Sequence, residues 1–323
     1  MMSSAYRAAP CVAVTGATGF LGRHLVPALT ARGFRLRLLA RDGSAPLHWE
    51  GLVAETVRGR MNDAASLAAL VADADVVIHM AGLTRARSRQ EFLAVNRDGA
   101  ARLGEAVARH APGAHLIGIS SLAARAPQLS AYAESKRAGE EALAAAFAGR
   151  LSILRPPVIY GPWDRATLGI FRAATLPLIP LPGPPEARIA MIHATDAAAA
   201  IAALAAWEDA PGGTRHALAD MRPGGYALRE ILTMAAEAVG RGPRFLPLPA
   251  ALIRLGGLAA SLWATINRRP MLFSAGKARE MTQSDWSVTE PELFPTGIAA
   301  PAIGLRWGFA ETVAWYRQER WLA

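Results

Sequence analysis

Cysteine is almost absent from the sequence, since Cys11 is the only one in 323 residues. A single cysteine excludes a disulfide framework and a metal site built from several thiolates, and we predict no metal site. The first residues also lack the basic start and apolar core of a secretory signal. We therefore expect a cytoplasmic protein.

Lysine is scarce as well, although the chain is basic. Of the 35 lysines and arginines, only Lys136 and Lys277 are lysine, and the formal net charge is +9. The arginines are scattered, without a basic run or interleaved aromatic residues, so the charge does not indicate a nucleic-acid partner. In such a composition, a lysine at a particular position needs a chemical reason.

Apolar runs alternate with amphipathic stretches through the first half of the chain, which is typical of a parallel sheet covered on both faces. We therefore predict an α/β, Rossmann-type doubly wound sheet. The predicted strands are residues 11–15, 34–39, DVVIHMAG ending near Ala81, AHLIGISS, and RLSILRPPVIYGP up to its proline pair. The predicted helices cover residues 20–32, 90–109 and 131–147.

Beyond about residue 165 the alternation stops, and proline and glycine punctuate the chain, as in LPLIPLPGPPEAR. We predict a cofactor-binding domain over residues 1–165 and a smaller, less regular substrate-binding domain over 166–323. Residues 187–205 are expected to return to the first domain.

The stretch TGATGFLG follows the first predicted strand and opens the first predicted helix. Its glycines, Gly16, Gly19 and Gly22, allow a tight turn, close approach of a pyrophosphate and packing of the helix on the sheet. This position in the first βα unit predicts a dinucleotide site. The cofactor-binding residues predicted from the stretch are Gly16, Thr18, Gly19, Phe20, Leu21 and Gly22.

The GxxGxxG spacing resembles the extended short-chain dehydrogenase/reductase family. Where NAD-selective proteins place an acid for the ribose hydroxyls, this chain has Arg41, which can pair with a 2′-phosphate and favours NADP. Asp42 keeps NAD as the alternative cofactor.

Further segments resemble the same family, and what they imply rests on that resemblance. GRMNDAASL places Asp63 at the adenine, although Arg60 stands where the family usually has an acid. HMAG lays Met80, Ala81 and Gly82 against the cofactor, while His79 is expected to be structural. AVNRDGAARL places Asn96 where it orients a loop or an active-site water.

The predicted catalytic residues are Ser121, Tyr132 and Lys136, from YAESK and the serines upstream of it. A tyrosine with a pKa near 10 exchanges protons poorly at pH 7 unless a cation stabilises its phenolate. Lys136 follows four residues later on the same helix face, and its compact ammonium can hydrogen-bond a ribose, unlike arginine. By resemblance, Ser121 holds the substrate oxygen, and Ser120 is the fallback and a cofactor contact.

The block LRPPVIYGP resembles the family's LRPxxVYGP, which implies that Pro157 and Val158 pack beside the nicotinamide. Nucleotide-sugar epimerases and dehydratases often have asparagine at the position of Val158, so an apolar residue there favours a reductase. By resemblance to an HVxD segment, His193 and Asp196 are expected to fix the domain junction.

Residues 245–266 are apolar apart from Arg254, and NRRP follows them. This pattern predicts either a buried helix of the substrate domain or peripheral contact with the inner membrane surface through residues 245–270. Together with Val158, it favours an apolar, lipid-like substrate of the sterol or keto-sphingolipid type.

Three functions remain open. The first is an NADP-dependent oxidoreductase acting on a keto or hydroxy group of a lipid-like molecule. The second is a nucleotide-sugar epimerase or dehydratase with tightly held NAD, and the third a non-catalytic cofactor-binding subunit of a respiratory complex. The sequence leaves the protein a monomer or a homodimer.

Overall fold

The computed structural model describes residues 9–41, 52, 54–184, 186–267 and 275–322. Asp42 and residues 268–270, which entered the cofactor and membrane predictions, lie outside the described residues.

A parallel sheet of seven strands organises the described part of the chain, in the order β11-β6-β5-β4-β1-β2-β3. All six strand pairs are parallel. Its strands are β1 Cys11–Thr15, β2 Arg35–Ala40, β3 Ala54–Arg58, β4 Val76–His79, β5 His115–Ile119, β6 Leu151–Arg155 and β11 Thr214–Ala217. The predicted doubly wound α/β class is confirmed.

Helices cover both faces of this sheet, and β1 is therefore buried on both sides. Val12 and Val14 lie in one apolar cluster with α1 and α7, whereas Ala13 lies in another with α2, α4 and α5. These alternating directions follow from the two-residue period of a strand. The helices on the two faces are α1 Phe20–Ala31, α2 Ala64–Val71, α4 Asp98–His110, α5 Ala131–Ala146 and α7 Ala194–Ala206. A further helix, α3 Arg89–Asn96, packs beside α5.

Most of the remaining elements pack around a third apolar cluster, which includes the buried Tyr160, Phe171, Phe309 and Tyr316. The short strands outside the large sheet are β7 Val158–Tyr160, β8 Ile179–Pro182, β9 Arg188–Ile189, β10 Met191–His193, β12 Tyr226–Ala227, β13 Phe245–Leu248 and β14 Asp285–Trp286. The helices of this part are α6 Leu168–Ala174, α8 Leu228–Ala238, α9 Ala250–Asn267, α10 Ala275–Met281 and α11 Leu305–Gln318. The division at residue 165 stays a prediction. Two elements after residue 165 are part of the first layer system: β11 is a strand of the large sheet, and α7 packs on one of its faces.

The structure differs from the sequence expectation at three places. β3 and α2 were not predicted, the helix expected over 90–109 is divided at Arg97, and a further strand, β7, follows the strand that ends, as predicted, at the pair Pro156 and Pro157. The second of these strands, β7, leaves the large sheet and pairs with β10. Proline cannot donate to a strand ladder, so the division falls at the proline pair.

Across the described ranges, no helix is both long enough and apolar enough to cross a bilayer.

Candidate active site

The glycine turn after β1 has the backbone geometry that a pyrophosphate requires. Gly16 has a φ of +76°, and a Cβ added there would lie 2.6 Å from the Ala81 amide nitrogen. A Cβ at Gly22 would lie 1.9 Å from the Ala17 carbonyl oxygen, so α1 can pack this closely only on glycine. Gly19 caps α1 without a side chain, which leaves the helix N-terminus open to an anion. The residues therefore fit a dinucleotide.

The three other residues predicted from this stretch lie at the same turn. Thr18 is half-buried between Gly16 and α1, and Phe20 and Leu21 begin the helix. Leu21 packs against the apolar cluster of α1 and α7, and the Phe20 ring contacts His24 with centroids 5.6 Å apart.

Two arginines meet at the carboxyl ends of β2 and β3. Arg41 is exposed directly after β2, and the Arg58 guanidinium donates to the Arg41 carbonyl oxygen over 3.3 Å. Asp63 caps α2, accepting from the Ala65 amide at 3.1 Å and from the Ser66 hydroxyl. That hydroxyl is the main reason why the pKa of Asp63 is lowered. The carboxylate of Asp63 is thus held by its own helix.

The end of β4 faces the glycine turn. The Thr15 hydroxyl lies 2.8 Å from His79 Nδ1 and also accepts from the Ala81 amide at 3.3 Å. Burial lowers the pKa of His79 to about 3, so this ring is neutral and structural. Met80 is half-buried, and Gly82 is exposed beside Lys136, whose Nζ would lie 3.9 Å from a Cβ at that glycine.

Asn96 joins the loop after β4 to α5. Its Oδ1 accepts from the Leu83 amide at 2.7 Å, and its Nδ2 donates to the Leu83 carbonyl oxygen at 3.0 Å. The same amide donates to the Ser135 hydroxyl at 2.8 Å, and Ser135 donates to the Tyr132 carbonyl oxygen at 2.8 Å. The side chain therefore orients a loop, as its resemblance implied.

Tyr132 and Ser121 are brought together. Ser121 follows β5 and caps a 3-10 turn over Leu122–Arg125, and Tyr132 lies in the first turn of α5. Burial raises the pKa of Tyr132, the neighbouring Ser121 side chain lowers it, and the Glu280 charge raises it. The pKa of Tyr132 is raised overall. The expectation that Lys136 makes the Tyr132 phenol more acidic is therefore not met by the protein's own groups.

Lys136 lies one turn after Tyr132 and is directed toward β5. Its Nζ donates to the Ile119 carbonyl oxygen at 2.8 Å. Burial lowers the pKa of Lys136 to about 8, against the opposing effect of Glu140. An ammonium with this pKa is charged at pH 7 yet gives up its proton more readily than a surface lysine.

The sequence interpretation missed Glu140, whose side chain is only 2% exposed. Its carboxylate accepts from Arg155 Nε at 2.8 Å and Nη2 at 2.6 Å, and from the Ser120 hydroxyl. Ser120 is thereby held away from the role of a free hydroxyl. A signal was present, because Glu140 follows Lys136 by one helical turn on the same face.

Pro157 and Val158 lie where the chain leaves the large sheet for β7. Pro157 is half-buried, and Val158 is 38% exposed, which is high for a valine in a strand. The two residues follow β6, whose neighbour β5 leads to Ser121, so they border the same edge of the sheet.

Asp196 and His193 contact the C-terminal segment that contains α11, and their role at a domain junction stays a prediction. The Asp196 carboxylate accepts from the Ala302 amide at 3.1 Å and the Ile303 amide at 2.8 Å. His193 Nε2 lies 3.4 Å from a Glu311 carboxylate oxygen of α11.

A cleft of about 500 Å³ opens beside the first turn of α5. It is lined by Arg89, Pro127, Gln128, Ser130, Ala131, Glu134 and Arg279. Residues from α3, α5 and α10 therefore border one open space next to Tyr132.

A glycine turn fit for a pyrophosphate, a parallel doubly wound sheet and a Ser–Tyr–Lys set at its carboxyl edge define a nicotinamide-dependent oxidoreductase. Residues 12–216 match the model of the NAD-dependent epimerase/dehydratase family. The chain belongs to this family, which confirms the predicted resemblance, and it is an NAD(P)-dependent enzyme.

One relative is similar along nearly its whole length. The chain is 44% identical over 313 residues to ceramide reductase of Caulobacter vibrioides (strain NA1000 / CB15N), covering 96% of each chain. It is 28% identical over 245 residues to the mitochondrial NADH dehydrogenase [ubiquinone] 1 alpha subcomplex subunit 9 of Arabidopsis thaliana, covering 73% of this chain and 60% of that protein.

Among solved structures, MoeE5 in complex with UDP-glucose and NAD superimposes with a TM-score of 0.71. The match covers 96% of this chain and 99% of MoeE5 at 21% sequence identity. At that identity it supports the fold.

Proposed function

We propose that this protein is an NADP-dependent reductase of a ketone on a lipid-like substrate. The observation that carries the proposal is that Tyr132, in the first turn of α5, lies beside Ser121 at the carboxyl edge of the sheet, with Lys136 one turn further along the same helix. A non-catalytic subunit needs no such residues, so their presence argues against that alternative.

The residues divide the chemistry as follows. NADPH, if held at the glycine turn, would supply the hydride for the carbonyl carbon. Ser121 hydrogen-bonds the carbonyl oxygen, and Tyr132 gives its proton to that oxygen as the alcohol forms. Lys136 would hold the ribose and stabilise the phenolate that Tyr132 becomes. The raised pKa of Tyr132 suits a residue that must start protonated.

NADP is favoured by the positive charge at the adenosine end of the sheet. Arg41 and Arg58 meet there, and Arg60 follows where the family usually has an acid. Guanidinium groups bind phosphate through paired hydrogen bonds, which supports a 2′-phosphate contact.

The lipid-like substrate is supported by two independent facts. Val158 exposes an apolar surface at the sheet edge near Ser121, where a sugar nucleotide would require polar partners. In addition, the relative that covers nearly the whole chain is called ceramide reductase. We therefore take a ceramide bearing a ketone in place of its 3-hydroxyl as the substrate class.

Such a substrate resides in a membrane, and α9 offers a surface for peripheral contact. Leu252, Leu255 and Leu258 are 59%, 64% and 58% exposed along this helix, whereas Ile253 is buried. Leu246 of the preceding β13 is also exposed. Apolar patches of this kind mark interaction sites.

The charge of the same region favours an anionic membrane surface. Between Glu237 and Glu280 the sequence has no acidic residue and seven basic ones, Arg241, Arg244, Arg254, Arg268, Arg269, Lys277 and Arg279. Anionic lipids attract such clusters. We therefore place the enzyme peripherally on the cytoplasmic face of the inner membrane.

The nucleotide-sugar alternative rests on fold similarity to MoeE5. In that reaction NAD is reduced and re-oxidised on one substrate, with no net consumption of cofactor.

The test of the proposed function uses a 3-keto ceramide in mixed vesicles and follows NADPH absorbance. Wild type should oxidise NADPH, and Tyr132→Phe should lose about 10²-fold or more in kcat, because phenylalanine has no proton to give. NADPH binding, measured by fluorescence, should remain near wild type. Unchanged turnover in Tyr132→Phe would refute the role of Tyr132.

A further inference from the structure

α10 is fixed directly on the start of the helix that carries Tyr132. A Cβ added at Gly276 would lie 2.8 Å from Ser130 Cβ, so the two elements touch without intervening side chains. Arg279 Nε donates to the Leu129 carbonyl oxygen at 2.8 Å. Movement of α10 must therefore be transmitted to the residues that begin α5.

Ser130 connects the two elements through its hydroxyl. It caps α5 by accepting from the Ala133 amide at 3.0 Å, and it donates to the Glu280 carboxylate. Both Ser130 and Glu280 are 8% exposed. The glutamate thus determines the orientation of the cap, two residues before Tyr132.

Glu280 is itself held by the second of the chain's two lysines. Lys277 Nζ donates to Glu280 Oε2 at 3.1 Å, one turn away on α10. The Glu280 backbone carbonyl oxygen accepts from Trp286 Nε1 at 3.1 Å, which fixes the end of α10 against β14.

The charged and polar groups around Tyr132 come from three elements. Ser121 follows β5, Lys136 lies one turn further along α5, and the charge of Glu280 acts on the tyrosine from α10. From α3 the neighbour is the apolar Phe92, whose ring centroid lies 6.0 Å from that of Tyr132. Glu280 is therefore the acidic group among these neighbours.

The groups around Glu280 are equally defined. Lys277 and Ser130 bind its carboxylate, and Arg279 is directed to the Leu129 carbonyl oxygen. From α9, Arg254 reaches the Thr282 hydroxyl at 3.5 Å.

We propose that Glu280 is a positioning residue for the reaction, which orients Tyr132 through Ser130 and adds a negative charge to the surroundings of that tyrosine. Lys277 opposes the second effect by offsetting the charge of Glu280. The inference rests on the proposed function, because it takes Tyr132 as the proton donor. By this inference, a residue of α10 influences proton transfer by Tyr132, which lies on α5.

The sign of the pH effect follows from the direction of reaction. Reduction needs protonated Tyr132, so its rate falls as pH rises through the pKa of Tyr132. The negative charge of Glu280 raises that pKa. Removing the charge must move the alkaline loss of activity to lower pH, and removing Lys277 must move it to higher pH.

The experiment measures kcat for NADPH-dependent reduction of a 3-keto ceramide in vesicles from about pH 6 to about pH 11 and separates two alkaline losses: a lower one near the Lys136 pKa of about 8, and an upper one, the alkaline limb, at the raised pKa of Tyr132. In Glu280→Gln the amide oxygen can still accept from Ser130, and the alkaline limb should shift down by on the order of 0.5 to 1 pH unit. In Lys277→Gln the limb should shift upward. Glu134→Gln is the matched control, since it removes an acidic charge from the first turn of α5, where Glu134 pairs with the exposed Arg89.

An unmoved alkaline limb in an active Glu280→Gln enzyme would overturn the inference. Shifts of the same sign in Glu280→Gln and Lys277→Gln, or an equal shift in Glu134→Gln, would do so as well. Activity retained by Tyr132→Phe would instead contradict the proposed function, so the two failures can be told apart.

Discussion

At the scale of single residues, the scarcity of lysine has a structural counterpart. Both lysines lie beside the beginning of α5: Lys136 one turn after Tyr132, and Lys277 through Glu280 and the cap residue Ser130. Burial brings the pKa of Lys136 to about 8, which a guanidinium with its much higher pKa cannot match. Lysine is therefore required where a cation must be compact and able to release a proton.

Arg41 decides the cofactor if its guanidinium binds a 2′-phosphate. Arg41→Gln should weaken NADPH binding by about 10- to 100-fold, the loss of a charge-assisted hydrogen bond, and leave NADH binding nearly unchanged. Fluorescence titration of both cofactors measures the ratio.

Arg35 provides the matched control, since it lies at the amino end of the same strand β2. Arg35→Gln should leave both affinities unchanged. Equal losses for NADPH and NADH in Arg41→Gln would contradict a phosphate contact.

The residues of the site differ in how far the sequence reveals them. Tyr132 and Lys136 share one helix, so their spacing alone places them together. Glu140 is also on that helix, but its role depends on Arg155 from β6, and Glu280 acts on Ser130 across 150 positions of the chain. Such long-range partners have no local signal.

At the scale of elements, α5 is held at its start and at its middle by buried polar groups. Ser130 caps its start, and Glu140 joins its middle to β6 through Arg155. Because a buried carboxylate is costly unless paired, the ion pair fixes the helix against the sheet.

Removing one member of this pair should destabilise the fold strongly. Glu140→Ala should lower the free energy of unfolding by about 3–5 kcal/mol, since it leaves the largely buried Arg155 without its partner. Urea unfolding followed by circular dichroism measures the change.

The neighbouring Glu141 serves as the control, because its side chain is 60% exposed and pairs with Arg137 on the surface. Glu141→Ala should change the free energy of unfolding by about 0.5 kcal/mol or less. Comparable losses in the two variants would contradict the claim that the buried ion pair of Glu140 and Arg155 fixes α5 against the sheet.

The elements that the sequence did not predict share a physical cause. β3 is an edge strand with mostly exposed residues, so no apolar run marks it, and it exists because β2 offers a free edge. α3 and α4 read as one helix in the sequence because Arg97 is compatible with a helix. The buried, strongly apolar strands β1, β4 and β5 were predictable from their composition.

At the scale of the whole molecule, the proposed contact with a membrane through the exposed face of α9 can be tested directly. Wild type should co-sediment with phosphatidylglycerol vesicles, less so with phosphatidylcholine and at high salt. Leu255→Ser with Leu258→Ser should weaken this binding by about tenfold or more, given the free energy of burying two leucines.

Trp307→Ser is the control, because Trp307 is 61% exposed on α11, outside this surface. Its binding should equal that of wild type. Wild-type protein that stays in the supernatant with phosphatidylglycerol vesicles would contradict membrane contact.

The central claim is that hydride leaves the cofactor for good and reaches a ketone. The most direct measurement is mass spectrometry of the product after reaction of a 3-keto ceramide with NADPH in which both hydrogens at C4 of the nicotinamide are replaced by deuterium. The account predicts one deuterium on the new carbinol carbon and one NADPH consumed for each ceramide formed. Unlabelled product, or a converted sugar nucleotide without net consumption of cofactor, would contradict it.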